Sequence, residues 1–181
     1  KVMRLGLFLI SLVTLLFLCS LLIGHTQAPL SNSLKALISG QGPLGTVMQD
    51  IRLPRAILAL LVGGSLGLSG AAMQGYLRNP LAEPGLIGIS GSASLGAVLS
   101  LQTGFAATFW LALPLSALGM SVFAVFLIIL LAGRQGSSLT LILAGIAISA
   151  LAGAMTSLVL NLSPNPYATA EIVFWMMGSL A

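Results

Sequence analysis

The sequence predicts an all-α fold, a polytopic transmembrane helical bundle of about five spans. Three observations predict it. Of the 181 residues, 57% are hydrophobic and only 6% are charged. Soluble domains carry roughly 25% charged residues, so too few polar side chains exist here to cover a water-facing surface. The apolar runs are continuous and do not alternate with period two, which favours helices over strands. Several runs also approach the roughly 20 residues that a helix needs to cross a bilayer. A backbone in lipid must satisfy its own hydrogen bonds, and a helix does so within one segment.

The first run, residues 5–23 (LGLFLISLVTLLFLCSLLI), follows Lys1 and Arg4. It exceeds the roughly 7–15 residues of a signal-peptide core, and Thr26-Gln27-Ala28 makes a poor cleavage site, so it reads as a retained span. Cys19 lies within this run and reads as a buried, inert thiol. A single cysteine also excludes an intrachain disulfide. His25 follows as an interfacial polar residue, with no second ligand or base nearby in sequence. Residues 24–55 form the one substantial connection outside the membrane. Within it, SNSLKALISG fits a short helix with a Ser or Asn cap, ended by Gly40.

The second span covers residues 56–77, with Pro54 near its start, where a missing N–H costs nothing. Gly63, Gly67, Ala71 and Gly75 recur every four residues. Such a spacing makes one smooth helix face, suited to close helix packing in lipid. The corner Arg78-Asn79-Pro80-Leu81-Ala82-Glu83-Pro84-Gly85 follows. Proline pushes Asn79 and Glu83 out of the helical region, and Asn79 is placed to cap the turn beginning at Pro80. The third span covers 86–101, with Gly88, Ser92 and Gly96 on one packing face.

The fourth span covers 107–132, with Pro114 near its start, and Gly133-Arg134-Gln135-Gly136 is a polar turn. The fifth, 139–160, carries a third small-residue ladder: Gly145, Ser149, Gly153 and Ser157. Asn161-Leu-Ser-Pro-Asn-Pro-Tyr167 breaks it. Residues 163–181 form a segment suited to the membrane surface, with Phe174 and Trp175 as interfacial aromatics. The chain begins at Lys1 without a methionine and ends just after this amphipathic segment, which reads as a fragment or processed product.

The net charge of +4 is thinly spread. No basic cluster or aromatic-studded basic face is present, which argues against nucleic-acid binding. With a cytoplasmic N-terminus, Lys1, Arg4, Arg78 and Arg134 lie inside, and Lys35, Arg52 and Arg55 lie outside. That distribution follows the positive-inside tendency only weakly. The Arg52/Arg55 pair is the anomaly, and a specific task outside would explain it.

No Walker A sequence, catalytic carboxylate pair or His/Cys metal spacing occurs, so neither a metal nor another cofactor is expected. Asp50, Glu83 and Glu171 are the only acidic residues, and all lie at span ends or in loops. Two G-x-S-G tetrapeptides, around Ser69 and Ser90, match the nucleophile motif of rhomboid-type intramembrane proteases. A serine nucleophile needs a positioned base, and His25 is the only histidine. Small-residue helix packing explains the motifs more simply.

The run RLPR, the Gly/Ala-rich span after it, and SGAAMQGYLRNPLAEPGLIGISGSASLGAVL together resemble the FecCD family, over residues 52–99. A weaker likeness extends to WMMGSL at 175–180. These are permease subunits of bacterial ATP-binding-cassette importers for iron-siderophores, haem and vitamin B12, and MQGYLRNPLAEPGLIGIS is most similar to the haem permeases. The resemblance implies ten spans in about twice this length, so residues 1–181 would be a partial permease domain, its N-terminal half.

The same resemblance implies a multi-pass protein of the cytoplasmic membrane that is not itself an enzyme. Its partners would be a second permease copy, cytoplasmic ATPase subunits and a substrate-binding protein, and its cargo haem or an iron chelate. Arg52 and Arg55 would dock the binding protein, and two guanidinium forks suit carboxylates. Anchoring to lipid phosphate is the alternative account of the pair. Ser149, Gly153, Thr156, Ser157 and Asn161 match positions lining the family's translocation path, although helix packing explains that ladder equally well. Arg78, Asn79, Pro80, Pro84 and Gly85 read as a structural corner. A rhomboid-like protease and a structural membrane module that only oligomerises are the rival classes.

Overall fold

In the computed structural model, residues 2–23, 29–133, 136–164 and 166–178 are described. His25, the Thr26–Ala28 site, the Arg134-Gln135 turn and the last three residues lie outside them. Among the described residues every regular element is helical, as the all-α class requires. The helices are α1 (Val2–Leu22), α2 (Leu30–Ser39), α3 (Gly42–Thr46), α4 (Leu53–Leu77), α5 (Ile89–Gln102), α6 (Ala112–Ala132), α7 (Ser138–Asn161) and α8 (Pro166–Met176). A π-helical turn, Val47–Arg52, joins α3 to α4. The chain divides into two compact units, Lys1–Ser65 and Leu66–Ser179.

In the first unit, the 24–55 connection holds more helix than the one short helix expected there: α2, α3 and the π-helical turn cover most of residues 30–52. α2 ends at Gly40, whose φ of 65° and N–H bond to the Ala36 carbonyl close the helix. Its N-cap is Pro29, with no side-chain cap, so Ser31 and Asn32 fall within the first turn instead of capping it. From Gly42 to Leu77 the 36 residues are assigned to helix throughout. Pro54 therefore sits inside a continuous helix and not at its start. A proline ring in that position clashes with the carbonyl four residues back and supplies no donor. The wide turn just before it relieves this conflict: the Leu53 N–H reaches the Met48 carbonyl, five residues back. Met48 is fully buried there, against Leu21 and Ala36, and Leu22, Leu37, Leu44 and Leu53 close around them.

In the second unit, α5 is the central element. It packs chiefly against α6 and α7, and six of its residues, from Ser92 to Ser100, are buried. The expected third span, 86–101, is interrupted at its beginning. A 3-10 turn covers Pro84–Ile87, Gly88 takes φ 76°, and α5 starts only at Ile89. Its 14 residues rise about 21 Å, less than the roughly 30 Å hydrocarbon core.

Among the described residues, four helices are long and apolar enough to cross a membrane: α1, the Gly42–Leu77 segment, α6 and α7. The expected fourth span, 107–132, has a separate 3-10 turn at Phe105–Ala107 ahead of α6. α7 starts under a Ser137 N-cap, whose hydroxyl accepts the Thr140 N–H at 3.2 Å. Ala124, Ile128, Ala144 and Ile148 form the core between α6 and α7.

Candidate functional site

Two regions carry the residues singled out in the sequence: the end bearing the arginine pair, and α7. The arginines lie at the junction of the π-helical turn and α4. Arg52 is half-buried, and its Nη1 donates to the Leu22 carbonyl at 3.2 Å and the Leu21 carbonyl at 3.4 Å. The same nitrogen lies 3.8 Å from Met48 Sδ. The last carbonyls of a helix lack intrahelical donors, so Arg52 caps the end of α1. Gln49 acts similarly nearby, donating from Nε2 to the Leu37 carbonyl of α2 at 2.8 Å. Arg55, one turn further on, is exposed. No ion pair joins it to a carboxylate among the described residues. Lys35 and Asp50 are the other exposed charged side chains in this stretch.

The five α7 positions divide between two faces. Thr156 is buried and donates its hydroxyl to the Ala152 carbonyl at 2.8 Å. Ser149 is half-buried beside the start of α5, where its Oγ would lie 3.9 Å from a Cβ on Gly91. Gly153, Ser157 and Asn161 continue the four-residue series from Ser149 on the adjoining side, which is exposed. A Cβ on Gly153 would meet open space. The Asn161 amide bonds the Ser157 carbonyl at 2.8 Å, within its own helix. This stripe places small and polar groups along an otherwise apolar membrane helix.

Between α4 and α5, the corner is built from local bonds. Arg78 adopts φ 50° and ends α4. The Asn79 N–H then reaches back to the Gln74 carbonyl at 3.3 Å, the six-to-one bond of a Schellman ending. Asn79 Oδ1 accepts the Leu81 N–H at 2.9 Å, and its carbonyl accepts the Ala82 N–H at 3.1 Å. Pro84 opens the 3-10 turn, and Gly85 lies beside the Glu83 carboxylate. A groove of about 660 Å³ lies between this corner and the Gly67–Gln74 stretch of α4.

The three small-residue ladders differ in their surroundings. A Cβ on Gly88 would stand 2.6 Å from the Ser149 backbone nitrogen, and one on Gly145 would stand 2.9 Å from Ile87 Cα. A Cβ on Gly96 would overlap the Ser116 carbonyl and stand 2.7 Å from Met120 Cβ. Ser92 is buried and donates to the Gly88 carbonyl at 2.8 Å. Gly63, Gly67 and Gly75 have nothing within 4 Å of an added Cβ, and Ala71 is exposed. The α4 ladder thus has no packing partner at those positions among the described residues. Gly145 is a contact that the packing set on residues 63–96 omits. It is readable only as part of the α7 ladder, because its partner, Ile87, is 58 positions away.

Nothing resembling a catalytic centre is assembled among the described residues. Ser69 donates its hydroxyl to the Leu66 carbonyl at 3.0 Å, within its own helix. No group of three or more His, Cys, Asp or Glu converges among the described residues.

Comparison with known proteins decides the family. The model of the FecCD transport family matches residues 12–181. The chain belongs to the FecCD transport family. It is 41% identical over 170 residues to the ferric enterobactin transport system permease protein FepD of Escherichia coli K12, covering 89% of this chain and 48% of FepD. It is 38% identical over 173 residues to the vitamin B12 import system permease protein BtuC of Klebsiella pneumoniae, covering 96% of this chain and 50% of BtuC. A solved structure described as a metal-chelate-type ABC transporter in an inward-facing conformation matches with TM-score 0.78 and 30% identity, over 100% of this chain and 53% of the other. The chain spans about half the length of these relatives. Neither FepD nor BtuC is named for haem, the substrate suggested by the corner motif. As a FecCD family member with four apolar helices of spanning length among the described residues, the chain is a multi-pass protein of the cytoplasmic membrane.

Proposed function

We propose that this chain is part of the permease subunit of an ATP-binding-cassette importer that carries a ferric siderophore or another metal chelate across the cytoplasmic membrane. The observation that carries the reading is the family match over residues 12–181. The spanning-length helices α1, α4, α6 and α7 support it. Among substrates the siderophore class is favoured, because FepD, at 41% identity, transports ferric enterobactin by name. Haem is the second reading, from the corner sequence alone.

The permease acts with a second permease copy and with ATPase subunits that supply the energy. The exposed α7 stripe of Gly153, Ser157 and Asn161 lines the translocation path, and small side chains there leave room for a bulky chelate. The end bearing Arg52 and Arg55 faces outward and docks a substrate-binding protein through carboxylate–guanidinium contacts. No catalytic group is required of the permease itself. This reading disfavours a protease.

Uptake tests the proposal. The complete permease and its ATPase, reconstituted in liposomes with the binding protein, are expected to accumulate a radiolabelled ferric siderophore only when ATP is enclosed. Equal accumulation without ATP, or none for any iron chelate, haem or corrinoid offered, rejects it. Peptide cleavage lost on Ser69→Ala or Ser90→Ala would instead establish the protease.

A further inference from the structure

We propose that the groove between the end of α5 and the first half of α6 holds an acyl chain of a zwitterionic glycerophospholipid, and that the Ser100 hydroxyl donates to the ester carbonyl of that chain. The proposal rests on the membrane location of the chain and is independent of the cargo. The groove has a volume of about 570 Å³ and runs along Gly96, Leu99, Gly119, Met120 and Phe123, and Ser100 also lines it.

Ser100 is the buried polar side chain that the fold leaves unsatisfied. It is 3% exposed, and its Oγ has no hydrogen-bond partner among the described residues. The other hydroxyls along the groove are paired within their own helices. Thr103 donates to the Leu99 carbonyl at 2.7 Å, and Ser116 to the Ala112 carbonyl at 2.7 Å. The equivalent carbonyl for Ser100 belongs to Gly96, and Ser100 does not bond it. A buried hydroxyl without a partner loses its hydration and gains nothing in return. Hydrocarbon supplies no replacement. A ligand that brings an acceptor into the groove repairs the loss.

Level, lining and charge select the ligand. Ser100 lies two residues before α5 ends at Gln102, about 3 Å along the axis. The turn beyond carries Phe105 and Phe109, edge to face with centroids 5.8 Å apart, and Trp110, which is 86% exposed. Exposed tryptophan marks the membrane–water interface. Ser100 therefore stands just inside that interface, at the depth where ester groups join acyl chains to headgroups. Below it, Leu99, Met120 and Phe123 offer apolar walls to a chain. No charged residue or histidine occurs from Pro84 to Gly133. An anionic headgroup would find no cation on these elements, which favours a zwitterionic lipid such as phosphatidylethanolamine.

The test uses the complete permease with its ATPase in detergent. The probe is phosphatidylethanolamine with a photoactivatable diazirine midway along one ester-linked acyl chain. Illumination is expected to label residues 112–123, at Met120 or Phe123. A Cβ added at Gly119 meets nothing within 4 Å, so Gly119→Leu fills the groove without a clash inside the chain. That variant is expected to lose the label and keep its thermal midpoint. Unlabelled diester phosphatidylethanolamine is expected to compete about fivefold better than its diether analogue, which lacks the carbonyl. In Ser100→Ala the two lipids are expected to compete equally.

Labelling that persists in Gly119→Leu, or equal competition by the two lipids in the parent, would overturn the site. Stronger competition by phosphatidylglycerol than by phosphatidylethanolamine would overturn the choice of headgroup. Absence of labelling in the parent would overturn the proposal as a whole, and a lowered midpoint in Gly119→Leu would then assign the groove to another part of the complete permease.

Discussion

At the scale of single residues, the decisive quantity is the space around each glycine. Gly88 and Gly96 stand where another backbone occupies the volume of a Cβ, whereas Gly153 stands in the open. Gly88 also needs φ 76°, a region where a Cβ costs roughly 1–2 kcal/mol. Overpacking a tight contact costs about 1–3 kcal/mol. Gly96→Ala and Gly88→Ala are therefore expected to lower the thermal midpoint of the complete permease in detergent, with Gly88→Ala the more damaging. Gly153→Ala meets no neighbour and improves helix propensity by about 1 kcal/mol, so its midpoint is expected to stay level or rise. A fluorescence-detected thermal melt of the three variants checks the order, and equal losses in all three would refute the contact assignment.

At the scale of elements, the corner shows how local chemistry and tertiary contact share control. Asn79 uses its side chain to hold the Leu81 N–H, and Arg78 pays in strain for ending α4 at φ 50°. These give opposite expectations. Asn79→Ala is expected to lose about 1 kcal/mol by removing the turn bond, and Arg78→Gly is expected to gain about 1 kcal/mol by removing the strained Cβ. Thermal melts of the two variants in the complete permease should move in opposite directions, and a destabilising Arg78→Gly would assign the arginine side chain a contact that outweighs the strain.

The corner was readable because Pro80 and Pro84 restrict the chain locally, whatever surrounds it. The late start of α5 was not, because Gly88 breaks the helix where it meets Ser149 and Gly145, about 60 residues away. The same limit hid the role of Arg52. RLPR is visible in sequence, but its first arginine reaches back 30 and 31 residues to α1, and no local pattern encodes that bond. The helical character of residues 42–52 was obscured by Gly42, Pro43, Gly45 and Pro54, which read as loop punctuation. The wide turn at 47–52 accommodates the proline that seemed to exclude a helix there.

At the scale of the whole molecule, α7 shows how one helix can serve both packing and transport. Ala144, Gly145, Ile148, Ala152 and Thr156 are buried against its neighbours, while Gly153, Ser157 and Asn161 remain exposed. The ladder Gly145–Ser149–Gly153–Ser157 therefore rotates across two environments along its length. That is why four-residue spacing alone could not separate packing from path lining. A bulky side chain distinguishes the two faces. On the packed face, Ala152→Phe must displace α5 and its neighbours, and over-packing of about 1–3 kcal/mol is expected to reduce the amount of folded permease in the membrane. On the open face, Ser157→Phe has room within the chain and is expected to preserve folded amount and thermal midpoint. If the stripe lines the path, the same substitution narrows the space through which the chelate passes, and ATP-dependent uptake should fall at least tenfold at unchanged protein level. Parallel measurement of membrane abundance, thermal midpoint and uptake separates these effects. Full uptake by Ser157→Phe would assign the open stripe to packing against the rest of the protein and remove α7 from the path.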